Sequence, residues 1–258
     1  MDVKQTVALV TGGGSGLGKA TCEQLAAAGA KVFIFDMNAE AAAATVKDLG
    51  EDRAGFAQVN VSDEASVLAG FEALKAKFGK LNICVNCAGI ATAGKILDRE
   101  NKALPLAEFS KTINVNLVGS FNVARVAAEL MAANEPMGEA GERGIIINTA
   151  SVAAFEGQLG QCAYSASKGG IVGMTLPMAR DLAKLGIRVN AIAPGIMGTP
   201  MLLAMPDNVQ ESLVANIQFP KRMGLPKEYG DLVVHLASNS YINGEVIRLD
   251  GAIRMQPR

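Results

Sequence analysis

The sequence predicts an α/β fold: one domain over residues 1–258, built on a seven-stranded parallel sheet with helices on both faces. Three observations predict it. Short apolar runs alternate with longer segments of helical period along the whole chain, and the runs are apolar on both faces, as strands between two helical layers must be. No linker, internal repeat or low-complexity tract divides the 258 residues. Half the composition is hydrophobic, enough to bury a substantial core, and folds of this class reach such a length as one domain.

The first strand is expected over 6–11 and ends in Gly12-Gly-Gly-Ser-Gly16-Leu-Gly18, which passes into a helix over 19–28. Glycines let the backbone turn sharply, and they let phosphate oxygens approach free N–H groups at the positive end of a helix. Gly12, Ser15, Gly16, Leu17 and Gly18 are therefore candidate pyrophosphate contacts. The second strand, over 31–35, ends in Asp36, 24 residues beyond Gly12 and close to the offset of about 20 expected of an acid that hydrogen-bonds both ribose hydroxyls. Asp36 would repel a 2′-phosphate, and neither Met37 nor Asn38 after it is basic. With Ser15 before Gly16, these residues favour NAD over NADP.

A helix over 39–49, a strand over 54–61, a helix over 63–78 and a strand over 81–85 follow. Asn60 and Val61 close the third strand, and Asn86-Cys-Ala-Gly89 follows the fourth. Open α/β sheets bind ligands at the carboxyl ends of their strands, which adds Asn60, Val61, Asn86, Ala88 and Gly89 to the cofactor candidates. A polar connection over 90–105 carries Lys95, Arg99 and Lys102, either as a solvated face or as a site for an anionic substrate end. In the helical region over 106–133, Asn116 interrupts an apolar pattern. A long loop over 134–144 leads to a strand over 145–148 and then to Ser151.

The next helix, over 163–184, carries Tyr164 and Lys168 one turn apart on the same face. A free tyrosine has a pKa of about 10, so it is a poor base at neutral pH unless a positive charge stabilises the phenolate. Lowering that pKa to about 7 takes about 4 kcal/mol, which Lys168 and a cationic ring could supply jointly in a dry pocket. A strand over 188–193 runs into Pro194-Gly195. Met197, Met201 and Met205 recur at four-residue spacing with Pro206 and Pro220 as breaks, and are read either as core or as an apolar lid. A helix over 226–237 and a strand over 244–250 complete the order.

A net charge of -1 with no block of like charge gives no footprint for nucleic acid or anionic membrane. No apolar run reaches about 18 residues and no secretory signal is read. The four cysteines are too few for a disulfide scaffold. Cys84-x-x-Cys87 has no second pair, and His235 is the single histidine, so no metal site is expected.

Taken together the chain resembles the short-chain dehydrogenase/reductase family over nearly its whole length. Thr11-Gly-x-x-x-Gly16-x-Gly18, Asn86-Cys-Ala-Gly89, and Tyr164-x-x-x-Lys168 with Ser151 and Asn116 match that family's motifs in order and spacing. Pro194, Gly195 and Thr199 match the segment that holds the nicotinamide carboxamide. The resemblance implies a Rossmann-type NAD enzyme that interconverts a secondary alcohol and a ketone. Ser151 would polarise the substrate oxygen, Tyr164 would carry the proton, Lys168 would lower the Tyr164 pKa and bind the ribose, and Asn116 would hold a proton-relaying water. Gln158 and Gln161 are read as substrate contacts or as plain loop.

The stretches after Asn148 and Tyr164, and the terminus after Asn243, are most similar to the branch that acts on 3-hydroxyacyl-CoA. Hydroxysteroid or other bulky-alcohol oxidation is the alternative, and a non-catalytic dinucleotide-binding scaffold is an alternative of another class. The likeness also implies a homotetramer paired through 106–133 and 163–184, whose apolar content would equally suit burial inside one chain. Only five residues precede the first strand and Asp2 is acidic, so a cytoplasmic location is expected, with the mitochondrial matrix as the alternative.

Overall fold

The computed structural model describes residues 1–257, apart from the side chain of Met201. Seven strands form one sheet in the order β3-β2-β1-β4-β5-β6-β7, with every pair parallel. They are β1 (Val7–Thr11), β2 (Lys31–Asp36), β3 (Ala54–Gln58), β4 (Ile83–Asn86), β5 (Gly144–Thr149), β6 (Ile187–Pro194) and β7 (Val246–Leu249). The chain winds from β1 outward to β3, then returns to lay β4 on the other side of β1. The strand order thus reverses between β1 and β4, the point where such sheets open a crevice.

Register brings the strand ends level. Thr11 pairs with Phe35 on one side and Asn86 on the other, Asn86 pairs with Asn148, and Thr149 pairs with Ile192. Alternate residues of each strand feed opposite layers, as the two-residue strand period requires. Ala8, Val10, Ile34, Val85 and Ile147 pack under α1 (Gly16–Ala27), α2 (Ala39–Leu49) and α9 (Pro226–Ser238). Leu9, Phe33, Phe35, Cys84 and Ile146 pack under α3 (Glu64–Phe78) and α5 (Gly119–Ala132). Each large side chain fully buried in these layers contributes about 1.5–3 kcal/mol. Phe35 also meets the edge of Phe71, with ring centroids 5.3 Å apart.

The helical region over 106–133 is not one regular helix. It runs as α4 (Leu106–Ile113), a π-turn at Asn114–Val118 and then α5. The extra residue of the π-turn turns Asn116 inward, and it is fully buried there. α6 (Cys162–Leu182) begins one residue before the predicted start. α1 begins three residues early, at Gly16, because Ser15 already stands at its N-cap. The methionine-bearing segment divides into α7 (Pro200–Leu203) and α8 (Asp207–Ala215). No helix among the described residues is long and apolar enough to cross a membrane.

Candidate active site

Two crevices open side by side at the carboxyl ends of the strands. The first, about 350 Å³, runs along the glycine turn to Asp36 and is bordered by Asn60, Val61, Ala88 and Gly89. The second, about 280 Å³, is walled by Ser151, Tyr164, Lys168, Pro194 and Gly195. Leu17, Cys87, Gly89, Ile90 and Thr199 line both, so the two are one continuous cleft that crosses the reversal point of the sheet.

The first crevice fits a dinucleotide. Gly12 has φ +68°, and a Cβ there would stand 3.0 Å from the Ala88 amide nitrogen. A Cβ at Gly18 would collide with the Gly12 carbonyl, so helix and strand approach this closely only without side chains. The Ser15 hydroxyl makes no capping hydrogen bond, which leaves it and the first N–H groups of α1 to face an anion. Asp36 is held from two sides: Oδ2 accepts from Gly14 N and Oδ1 from Asn38 N, both at 2.9 Å. Each oxygen keeps a lone pair, the arrangement a ribose diol needs.

In the second crevice, α6 carries Tyr164 and Lys168 against the end of β5. The Lys168 ammonium is buried and donates to the Thr149 carbonyl at 2.6 Å, and it lies 5.8 Å from the centre of the Tyr164 ring. Burial pushes the Tyr164 phenol above its ordinary value, and the neighbouring Ser151 hydroxyl pulls it back in part. The lowering expected from the sequence is for Lys168 and a cationic ring acting jointly; in the chain alone burial dominates. Burial instead depresses Lys168 itself to about 8, so in the chain alone its charge is weakly held and directed at Thr149.

Several expected contacts do not reach the cleft. Gln158 and Gln161 fold their own loop: Gln158 N donates to Gln161 Oε1 at 2.9 Å, and Gln158 Nε2 donates to the Gln256 carbonyl. Neither lines a crevice, because the glutamine amides close the loop and tie it to the C-terminal segment. The Asn86 side chain points into the sheet, donating to Asn148 Oδ1 at 2.9 Å, while the turn after it borders the cleft. Asn116 is a clamp. Its Oδ1 accepts from Ile90 N at 2.8 Å, and Nδ2 donates to Ile90 O and Ser167 Oγ, which employs both amide hydrogens. That geometry fixes Ile90 and Gly89 beside Lys168, and leaves one lone pair of Asn116 Oδ1 as the amide's remaining acceptor.

Conversely, Thr149, Ala150, Ile196, Leu202 and Val115 border the cleft without a motif to single them out. Of the three methionines, Met197 packs in the core and also lines the second crevice, and Met205 lines it while partly exposed. Met197 thus meets the core reading, and Met205 stands on the crevice wall. The side chain of Met201 lies outside the described residues.

A half-buried phenol and a buried ammonium facing a dinucleotide-shaped cleft define a class, the dinucleotide-dependent oxidoreductases that move a hydride and a proton together. The family model for short chain dehydrogenase matches residues 6–210, and the chain belongs to that family. It is 54% identical over 256 residues, 99% of this chain and 97% of the relative, to 3-hydroxyacyl-CoA dehydrogenase type-2 of Bos taurus. Identity to the protein of the same name from Drosophila melanogaster is 52%, over 99% of this chain and 100% of the relative. The crystal structure of 3-hydroxyacyl-CoA dehydrogenase type-2 from Mycobacterium avium superposes with a TM-score of 0.94 at 46% identity, covering 98% of each chain.

The depressed Lys168 pKa gives a prediction for stability. A base whose pKa is lower folded than unfolded, about 8 against about 10.4, carries a folding penalty. The penalty is complete below pH 8 and gone above roughly pH 10.5. It is worth about 3 kcal/mol at pH 7, offset by about 1 kcal/mol for the bond to Thr149. Lys168→Met should therefore raise the Tm of the dinucleotide-free protein by roughly 5 °C at pH 7, with little gain at pH 10.5. Melting curves at the two pH values check this, and a variant that melts below wild type at pH 7 contradicts it.

Proposed function

We propose that the protein oxidises 3-hydroxyacyl-CoA to 3-oxoacyl-CoA, and catalyses the reverse reduction, with NAD as the hydride carrier. The observation that carries the reading is the continuity of the two crevices: Asp36 and the glycine turn stand at one end, and Ser151, Tyr164 and Lys168 line the other. When bound, the dinucleotide supplies the hydride acceptor for the alcohol carbon. Tyr164 takes the alcohol proton, Ser151 holds and polarises the oxygen, and Lys168 stabilises the phenolate while reaching the ribose. Asn116 keeps Ile90 and Gly89 where they border both substrate and dinucleotide.

NAD is favoured over NADP because the Asp36 carboxylate, which lines the first crevice, would repel a 2′-phosphate, and Met37 after it is exposed and uncharged. The acyl-CoA part rests on the relatives' names and on the connection over 90–105. Gly94 N donates to Gly160 O at 2.8 Å, which ties that connection to the segment between Ser151 and Tyr164. Lys95 and Arg99 are exposed on that connection, while Lys102 is paired with Glu100. The apolar wall of Ile196, Met197, Leu202 and Met205 favours a second reading, a bulky apolar alcohol without CoA.

The proposed homotetramer is supported by α6, where a Cβ at Gly169 or Gly173 would meet nothing within 4 Å. Val118, Phe121 and Leu176 are exposed on the helices expected to pair.

Wild type should produce NADH from 3-hydroxybutyryl-CoA. Tyr164→Phe should lose at least about a hundredfold in kcat with dinucleotide affinity changed less than about threefold, since it removes only the proton carrier. Turnover of a hydroxysteroid but not of the CoA ester would move the assignment to the second reading. For the cofactor, kcat/KM for NAD should exceed that for NADP by a factor corresponding to a few kcal/mol, and Asp36→Ala should narrow the ratio. Equal values in wild type reject the role given to Asp36. Light scattering should return the mass of four chains, and a monomer mass would end the tetramer proposal.

A further inference from the structure

The acceptor that holds Lys168 is itself held from the far side of the sheet. Tyr229, in α9, is fully buried, and its hydroxyl lies 2.7 Å from Thr149 Oγ1. Thr149 Oγ1 has one hydrogen, and it is given to the Asn86 carbonyl at 2.6 Å. Tyr229 must therefore be the donor to Thr149, whose own carbonyl receives Lys168 Nζ. The same anchor steadies the turn between the crevices. Thr149 fixes the carbonyl of Asn86, and Thr11 Oγ1 accepts from Ala88 N at 3.0 Å, so Cys87 between them is pinned on both sides.

We propose that Tyr229 is a positioning residue of the reaction, acting through Thr149 to set where the Lys168 ammonium sits beneath Tyr164. The inference rests on the catalytic reading of Lys168 and goes beyond it, because Tyr229 touches neither crevice and lies on the opposite helical layer. The geometry demands a hydroxyl here. A phenylalanine would fill the same apolar space but would take the donor from Thr149 Oγ1, leaving it held only by its own bond to the Asn86 carbonyl. The titratable groups facing this chain are Cys87, whose sulfur is 3.8 Å from the Tyr229 hydroxyl, and Tyr164. Burial raises the pKa of Cys87, Tyr164 and Tyr229, so all three are protonated at neutral pH and Lys168 is the group whose state the chain governs.

The test uses Tyr229→Phe, Thr149→Val and Thr149→Ser in the full chain. Lysine Cε chemical shifts, with Lys168 identified by its loss in Lys168→Met, report the Lys168 titration without reference to turnover. Tyr229→Phe and Thr149→Val should lower that titration midpoint by about half a pH unit or more, because one hydrogen bond that orients the acceptor is gone. In the pH profile for oxidation of 3-hydroxybutyryl-CoA, both should lower kcat about threefold to tenfold with KM for NAD changed less than twofold. Thr149→Ser, which keeps the hydroxyl, should restore most of what Thr149→Val loses. A lower Tm in Tyr229→Phe with an unmoved Lys168 titration overturns the proposal and makes Tyr229 purely structural. A moved titration in a protein that turns over no alcohol upholds the link to Lys168 while removing the functional reading.

Discussion

The site depends on one buried cation. Lys168 is almost fully enclosed, and an ammonium without a partner in such a place would be driven further toward its neutral form. Its partner is the Thr149 carbonyl, the last of β5, which ties α6 to the end of that strand. That position also places Tyr164 one turn back at the cleft. A polar requirement inside an apolar layer thus adds direction where apolar packing alone supplies little.

The glycine turn solves a different problem at the same edge of the sheet. A phosphate must meet backbone N–H groups directly, and side chains at Gly12 or Gly18 would close the gap between β1, α1 and the turn after β4. Register holds the rest: Thr11, Asn86 and Asn148 stand at one level, with Thr149 one residue beyond, and their side chains and carbonyls link the strands across the reversal point. Cation, turn and linked strand ends are parts of one surface, so a shift in any strand would be felt in both crevices.

At the other end of the sheet an ion cluster has no part in the chemistry but closes the fold. Glu142 and Arg188 are buried together, and Arg188 also donates to the carbonyls of Leu236, Ala237 and Ile242, while the Met1 amine reaches Glu142 at 2.9 Å. Burial alone would raise Glu142, but the amine and Arg188 outweigh it and hold the carboxyl below its usual range. The long loop over 134–144 was legible only as irregular. That it carries the carboxylate joining β6 to α9 was not, because the partners lie far away in sequence.

The sequence by itself determined what depends on neighbours along the chain. Strand and helix order follows from apolar period, the anion-facing turn from clustered glycines, and the shared wall of Tyr164 and Lys168 from a spacing of one helical turn. Only the tertiary structure decided where polar side chains found partners. Asn86 turned into the sheet, Gln158 and Gln161 closed a loop, Asn116 became a clamp on Ile90, and Tyr229, with no motif around it, reached through to Thr149. The reason is physical: a buried amide or hydroxyl must be satisfied by whatever the packed fold brings within about 3 Å, and that neighbour can be distant in the chain.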